Sequence, residues 1–290
     1  MSQGYKFRTH CQESSPLKIV GVINAYVAMM AEEVGFKALY LSGAGVANAC
    51  LGLPDLGVTS LDNVLEEARR ITSSSTLPLL VDIDTGWGSS LMIERTIKEM
   101  ISSKVAAIHI EDQVFEKRCG HRDNKQLVSC EEMCNRLEIA DKTRKNYDPD
   151  FVIMARTDAL ANEKLDKTLK RLEAYKKAGA DMFFIEALTS LEDYHFIKQQ
   201  LSLPILANIT EFGKTPLFTT EELSKVEVDM MLFPLSVWRA MNYSALHVLQ
   251  TIHQTGSQAS MIDQMQTREE LYHFLDYKQQ ENTCRRSSHV

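Results

Sequence analysis

The sequence predicts an α/β protein of the (β/α)8 barrel class, the TIM-type fold. Short apolar, β-rich runs alternate with helical stretches along nearly the whole chain, the order of a parallel sheet with helical crossovers. Runs such as Phe151-Val152-Ile153-Met154-Ala155 are apolar without alternation, as in a strand buried on both faces. Eight βα units in succession fit a closed barrel. The competing architecture, an open doubly wound sheet, calls for a glycine-rich dinucleotide fingerprint after the first strand, and Asn24-Ala25-Tyr26-Val27-Ala28 is not one.

The elements follow in order. Residues 19–24 form the first expected strand and 28–34 its helix; 38–42 and 61–71 form the second unit. The third strand spans 77–84, with a helix near 90–102. The fourth, 105–111, is followed by a long loop and then a helix near 131–144. Strands at 151–157, 181–186, 204–208 and 228–234 alternate with helices near 165–178, 191–199, 220–226 and 236–253. The chain reads as a single domain over 1–290, with the barrel at about 16–255. The turn-like Thr255-Gly256-Ser257 leads into a C-terminal helical segment, about 256–280, with a helix near 267–280 and a frayed end from Gln279. That helix has two possible berths, its own barrel or a partner subunit. Residues 281–290 are a polar tail.

Composition narrows the function. The 290 residues are 44% hydrophobic and carry a net charge of -7. With no long Lys/Arg block, nucleic acid is not an expected partner. No apolar stretch approaches the ~20 residues of a membrane span, and the polar start, Met1 to Arg8, lacks a signal core. A cytoplasmic protein with six reduced cysteines is expected.

Barrel active sites lie at the C-terminal ends of the strands, and nearly every strand here ends in polar groups. Asp82 and Asp84 are spaced i, i+2, which a strand aims to one side. Two crowded carboxylates need a cation or a shared proton. Hard oxygen ligands without a His or Cys pair favour magnesium or manganese over zinc, and Glu111 and Asp112 stand where they can add ligands or hold water. Helix capping is the bland alternative for these acids. Ser42-Gly43-Ala44-Gly45 offers backbone N–H groups to a carboxylate or phosphate, or merely connects elements. Arg156 can grip a carboxylate, or form a structural salt bridge to Asp158 or Glu186. In the loop after the fourth strand, Lys117-Arg118-Cys119-Gly120-His121 sets a thiol among cationic neighbours that favour its thiolate.

With these residues assembled, the chain closely resembles the 2-methylisocitrate lyases of the isocitrate lyase/phosphoenolpyruvate mutase superfamily, from about Pro16 to Tyr277. The resemblance rests on 40–45, 51–57, 81–88, 109–121, 152–159, 204–220 and 265–272. It departs at Ala44, where a second glycine is commoner, at Trp87, where phenylalanine is usual, and at Tyr26 and Val27. It implies magnesium-dependent cleavage of (2S,3R)-2-methylisocitrate to pyruvate and succinate in propionate breakdown, and a homotetramer whose barrels exchange a C-terminal helix. By resemblance, Asp82 and Asp84 hold magnesium (manganese as a substitute), with Asp55 and Glu111 nearby through water. Ser42, Gly43 and Ala44 receive the α-carboxylate end. Cys119 is the acid/base, Gly120 presents an amide, and Lys117 and His121 tune the thiol. Arg156, Glu186, Asn208, Ile209, Thr210, Arg239 and Arg268 contact substrate. Tyr40 and a metal-bound hydroxide are the alternatives for general base. Rival readings are a lyase or hydrolase acting on isocitrate or oxaloacetate, and a silent carboxylate-binding barrel.

Overall fold

Eight parallel strands close on themselves in chain order: β1 Leu17–Gly21, β2 Ala38–Leu41, β3 Leu79–Asp82, β4 Ala107–Glu111, β5 Val152–Thr157, β6 Met182–Ile185, β7 Ile205–Asn208 and β8 Met230–Phe233. The computed structural model describes residues 1–118, 120 and 124–287. Each expected strand is present but shorter. Flanking apolar residues such as Ile83 are buried, yet they lie beyond the strand bounds. The strands are buried on nearly every residue, which is why they read as unbroken apolar runs.

The helices are α1 Gln3–Glu13, α2 Ala25–Val34, α3 Gly43–Leu51, α4 Leu61–Ser74, α5 Ser90–Ser102, α6 Cys130–Tyr147, α7 Leu165–Lys177, α8 Leu191–Gln200, α9 Thr220–Lys225, α10 Ser236–Thr255, α11 Arg268–Phe274 and α12 Tyr277–Ser287. Two of them have no counterpart in the sequence expectation. In α1, only Gly4, Phe7 and Cys11 are buried, so its apolar stripe is too thin to read. Phe7 and Cys11 share one cluster with Leu17, Ala38, Ala106, Val152, Met182 and Met230. These mark the strand starts, so α1 plugs the end of the barrel opposite the strand C-termini. The second, α3, replaces the glycine-rich turn expected at 42–45: Ser42 Oγ accepts from Gly45 N at 3.2 Å and caps a helix. The single helix expected at 267–280 is two, broken where Asp276 adopts φ 47°. The end expected to fray from Gln279 is helical to Ser287.

Chain contacts separate Met1–Ser236, which holds all eight strands, from Val237–Val290. Nearly all of α10, read above as the barrel's last helix, falls in the second unit. It carries Met241, Tyr243, Leu246, Leu249 and Ile252 exposed. Among the described residues no helix is long and apolar enough to cross a membrane, and Cys11, Cys50, Cys130 and Cys134 are free thiols.

The barrel register aligns the chemistry. Asp82 at the end of β3 sits beside His109 of β4, and Glu111 at the end of β4 sits beside Arg156 of β5.

Candidate active site

At the C-terminal ends of the strands, a group of buried carboxylates forms around two cations. Asp82 and Asp84 meet as expected, but a turn brings them together instead of strand alternation. β3 ends at Asp82, and Asp84 adopts φ 49°, donating its N–H to Asp82 Oδ1 at 3.0 Å. The first helical residue of α3, Gly43, donates its N–H to Asp82 Oδ2 at 3.2 Å. The Ser42–Ala44 segment is therefore a helix N-terminus aimed at the acid pair, with its positive dipole end forward. Thr59 Oγ1 donates to Asp84 Oδ2 at 3.3 Å.

Lys117 is 4% exposed, and its ammonium lies 2.5 Å from Asp84 Oδ1 and 2.9 Å from Asp55 Oδ1. The expected tuner of a thiol is thus spent on neutralising carboxylates. Burial alone would discharge it, but Glu111, Asp84, Asp82 and Asp55 outweigh burial and keep it charged.

Arg156 gathers three acids. Its Nη1 lies 3.3 Å from Glu111 Oε2, its Nε 3.1 Å from Asp158 Oδ2, and its Nη2 3.2 Å from Glu186 Oε2. The guanidinium also stands 5.1 Å over the Phe184 ring. Glu186 further accepts from Ala187 N at 3.1 Å and Asn208 Nδ2 at 3.3 Å. Asn208 ends β7, and Ile209 and Thr210 follow it, both buried.

In this cluster Asp55, Asp82, Asp84, Glu111, Asp158 and Glu186 face Lys117, Lys125 and Arg156. The acids outnumber the cations, and the excess shows in their proton affinities. Burial opposes the ionisation of Asp82, but a protonated His109, Lys117, Arg156 and the Asp84 N–H together bring it down to about 2. Burial, with Asp82 beside it, pushes Asp84 up to about 6 despite Lys117. Burial raises Glu111 well above the carboxylate range, and neither of its oxygens has a hydrogen-bond donor.

This donor set fits a hard divalent cation. It is all oxygen, carries excess negative charge and includes an orphaned buried carboxylate. Among the described residues no group of three or more His, Cys, Asp or Glu side chains forms a metal cage. A magnesium ion typically uses one or two carboxylates and keeps water or substrate oxygens for the rest.

Glu111 and Asp112 part company. Asp112 turns away from the acid cluster and accepts from Thr157 Oγ1 (2.6 Å), Asp158 N (2.9 Å) and Tyr175 OH (2.8 Å). It fastens the end of β4 to β5 and α7 and has no part in a metal site, because consecutive strand residues face opposite sides.

Tyr40 is buried, its OH 3.0 Å from His109 Nε2 and 3.5 Å from Asp82 Oδ2. His109 stacks on Tyr40 with ring centroids 5.7 Å apart, and its edge meets Phe184 at 5.2 Å. Burial first, then Asp82, pushes the Tyr40 phenol well up. Without a further cation beside it the phenol holds its proton, so a general-base role for Tyr40 requires a bound metal or another cation to offset burial. Burial lowers His109 to about 4, so its imidazole is neutral at pH 7.

Cys119 and His121, with Arg122, lie outside the described residues. Their neighbours are placed. A Cβ on Gly120 would come within 2.4 Å of Arg156 Nη2 and of Glu186 Oε2, so only glycine lets the loop backbone lie against that pair. Lys125 Nζ donates to Gly120 O at 2.5 Å and to Asp158 Oδ1 at 2.7 Å. Gln113 donates its Nε2 to Arg118 O and accepts from Arg118 N, each at 2.9 Å. Gln113, Lys125, Thr59 and His109 are not residues the sequence singles out. Their partners are remote or across a loop, and only an unbroken polar run at 121–126 marks the region. Arg239 lies in α10 and Arg268 opens α11, both in the second unit.

The sequence profile of the phosphoenolpyruvate phosphomutase family matches residues 7–253. A 2-methylisocitrate lyase of Shewanella oneidensis is 57% identical over 95% of this chain and 94% of its own. One of Escherichia coli is 54% identical over 97% and 94%. Among solved structures, a 2,3-dimethylmalate lyase superposes with a TM-score of 0.91 at 30% identity, covering 99% of this chain and 96% of its own. An oxaloacetate acetylhydrolase bound to 3,3-difluorooxalacetate gives a TM-score of 0.92 at 31% identity, covering 99% and 97%. The chain belongs to the phosphoenolpyruvate phosphomutase family, in its 2-methylisocitrate lyase branch.

Proposed function

We propose that this carbon–carbon lyase cleaves (2S,3R)-2-methylisocitrate to pyruvate and succinate. The observation that carries the reading is Gly120. The peptide next to Cys119 lies against Arg156 and Glu186, with no room for a Cβ, so the cysteine loop meets the substrate-binding guanidinium directly. The relatives' names and their near-complete coverage support the substrate choice.

The reaction breaks the bond between C2 and C3; the 2-hydroxyl proton passes to a general base, C3 receives one from the Cys119 thiol, and exchange with solvent resets both groups, so no net proton is gained or lost. Magnesium, for which manganese can substitute, would be held by Asp82 and Asp84 with Asp55 and Glu111 around it through water, and when bound it acidifies that hydroxyl and draws charge from the forming 2-oxo acid. The N–H groups of Ser42, Gly43 and Ala44 bind the pyruvate-side carboxylate at the start of α3. Lys117 balances Asp55 and Asp84. Arg156, oriented by Asp158 and Glu186, receives charge on the succinate half as the aci-carboxylate forms, and Asn208 and His121 add donors. Ile209 and Thr210 line that side, and Arg239 and Arg268 complete the anion contacts. Tyr40, as a phenolate favoured by a neighbouring cation, takes the 2-hydroxyl proton. The Cys119 thiol delivers its proton to C3, so no covalent enzyme intermediate forms. We further propose a cytoplasmic homotetramer with exchanged C-terminal helices, a reading supported by the apolar residues that α10 leaves exposed.

Product analysis tests this, with 2-methylisocitrate and isocitrate assayed in parallel. Pyruvate and succinate should appear from the first, with little glyoxylate from the second. Cys119→Ser should lower turnover by at least about a thousandfold while leaving product binding intact. Near-normal turnover in that variant sinks the role of Cys119, and preferential glyoxylate release sinks the substrate.

A further inference from the structure

Gln113 is 1% exposed, yet its amide is spent on the backbone of Arg118, an exposed residue that water can reach. The amide both donates to Arg118 O and accepts from Arg118 N, at 2.9 Å each. It thus imitates the exchange between paired strands and fixes the peptide that enters position 119. On the other side, Lys125 (4% exposed) donates to Gly120 O and fixes the carbonyl that leaves position 120.

Both clamps are anchored to the barrel. Gln113 follows the end of β4 by two residues, bridges Leu127, and gives its own carbonyl to Arg136 Nη1 at 3.0 Å. Lys125 is paired with Asp158, which also holds Arg156, and its carbonyl accepts from Asn162 Nδ2 at 2.7 Å.

We propose that Gln113 and Lys125 are positioning residues for the Cys119 thiol, holding the backbone on either side of it in register with Arg156. This rests on Cys119 being the proton donor. A buried amide and a buried ammonium, the second also paired with Asp158, are committed to the loop backbone on both sides of position 119. They serve a proton transfer, where a displacement of about 1 Å can cost on the order of a hundredfold in rate.

The decisive variant is Gln113→Leu in the full chain, which removes both hydrogen bonds and touches no substrate-binding residue; Lys125→Met, which also strips buried Asp158 of a cation, is read for its isotope effect alone. Turnover should fall about ten- to a hundredfold, with KM and product affinity changed less than about threefold and the melting temperature nearly unmoved. The solvent deuterium isotope effect on kcat should rise as proton delivery becomes rate-limiting, which a purely structural role would not cause. Turnover within about twofold of the parent at equal stability overturns the assignment, as does parallel loss of turnover and product affinity. If Gln113→Leu does not fold, Gln113→Glu, which keeps only the bond from Arg118 N–H, decides by the same outcomes. Cys119→Ser run alongside separates the two ideas: an active Cys119→Ser refutes the proton donor itself, whereas an inactive one beside a fully active Gln113 variant refutes only the clamp.

Discussion

In the proposed metal site, Asp84 sets the response to pH. Burial raises its carboxyl to about 6, and a proton and a divalent cation compete for the same oxygens. Magnesium binding should therefore weaken about tenfold per pH unit below about 6. The stability sign follows. A carboxyl whose folded pKa lies above its unfolded value contributes stability that is present below the unfolded value and lost as pH rises through about 6. For this group, the metal-free protein gains stability between pH 7 and 5, while the melting-temperature gain from magnesium shrinks. Thermal melts with and without magnesium at the two pH values check this; a constant gain refutes it. A chelator should abolish turnover and magnesium restore it. That the acid pair meets was legible in its spacing, though a turn and not strand alternation brings it together, and Arg156 was legible from its place at a strand end. What spacing concealed was which acids turn inward. Glu111 and Asp112 are neighbours with opposite destinations, and Lys117 reads as a partner of the thiol until the carboxylates around it are seen.

Among elements, strands were easier to read than the segments joining them. All eight strands announce themselves as apolar runs, because both faces are covered. The helix α3 did not. Its Gly-Ala-Gly start has low helix propensity, and it forms because Ser42 caps it and Asp82 receives its first N–H. The loop between β4 and α6 was recognisable as functional from its length and charge, but its tethers were not, since Lys125 finds Asp158 on another strand's end. The packing of this loop makes Gly120 a sharp test. With a Cβ only 2.4 Å from Arg156 Nη2 and Glu186 Oε2, Gly120→Ala must push the loop off that pair. KM should rise at least about tenfold and the melting temperature should fall as well, because Gly120 and the pair it lies against are buried. Unchanged steady-state kinetics would show the loop does not bear on substrate binding.

The barrel as a whole is fixed by its closure, where β1 meets β8. The order of eight units and their closure were legible from end to end, but the register at the seam was not, because it joins residues from opposite ends of the strand series. At the seam Gly21 passes so close to the chain after β8 that an added Cβ would lie 1.8 Å from the Pro234 carbonyl oxygen. Backbone offers no rotamer to yield. Gly21→Ala should cost about 3 kcal/mol, a melting-temperature loss on the order of 5–10 °C, read by calorimetry; a loss under about 1 °C would mean the seam opens freely.

That seam also sets a schedule for synthesis. The first strand leaves the ribosome long before the one that covers its open edge, and the plug α1 finds its anchor at Asp150 only midway. At about 5–20 residues per second, the nascent chain carries an unpaired, largely apolar edge for on the order of ten to forty seconds. Over that interval β1 is a template for any other emerging strand, so the yield of native protein depends on chaperone occupancy and translation speed as well as on the stability of the finished barrel.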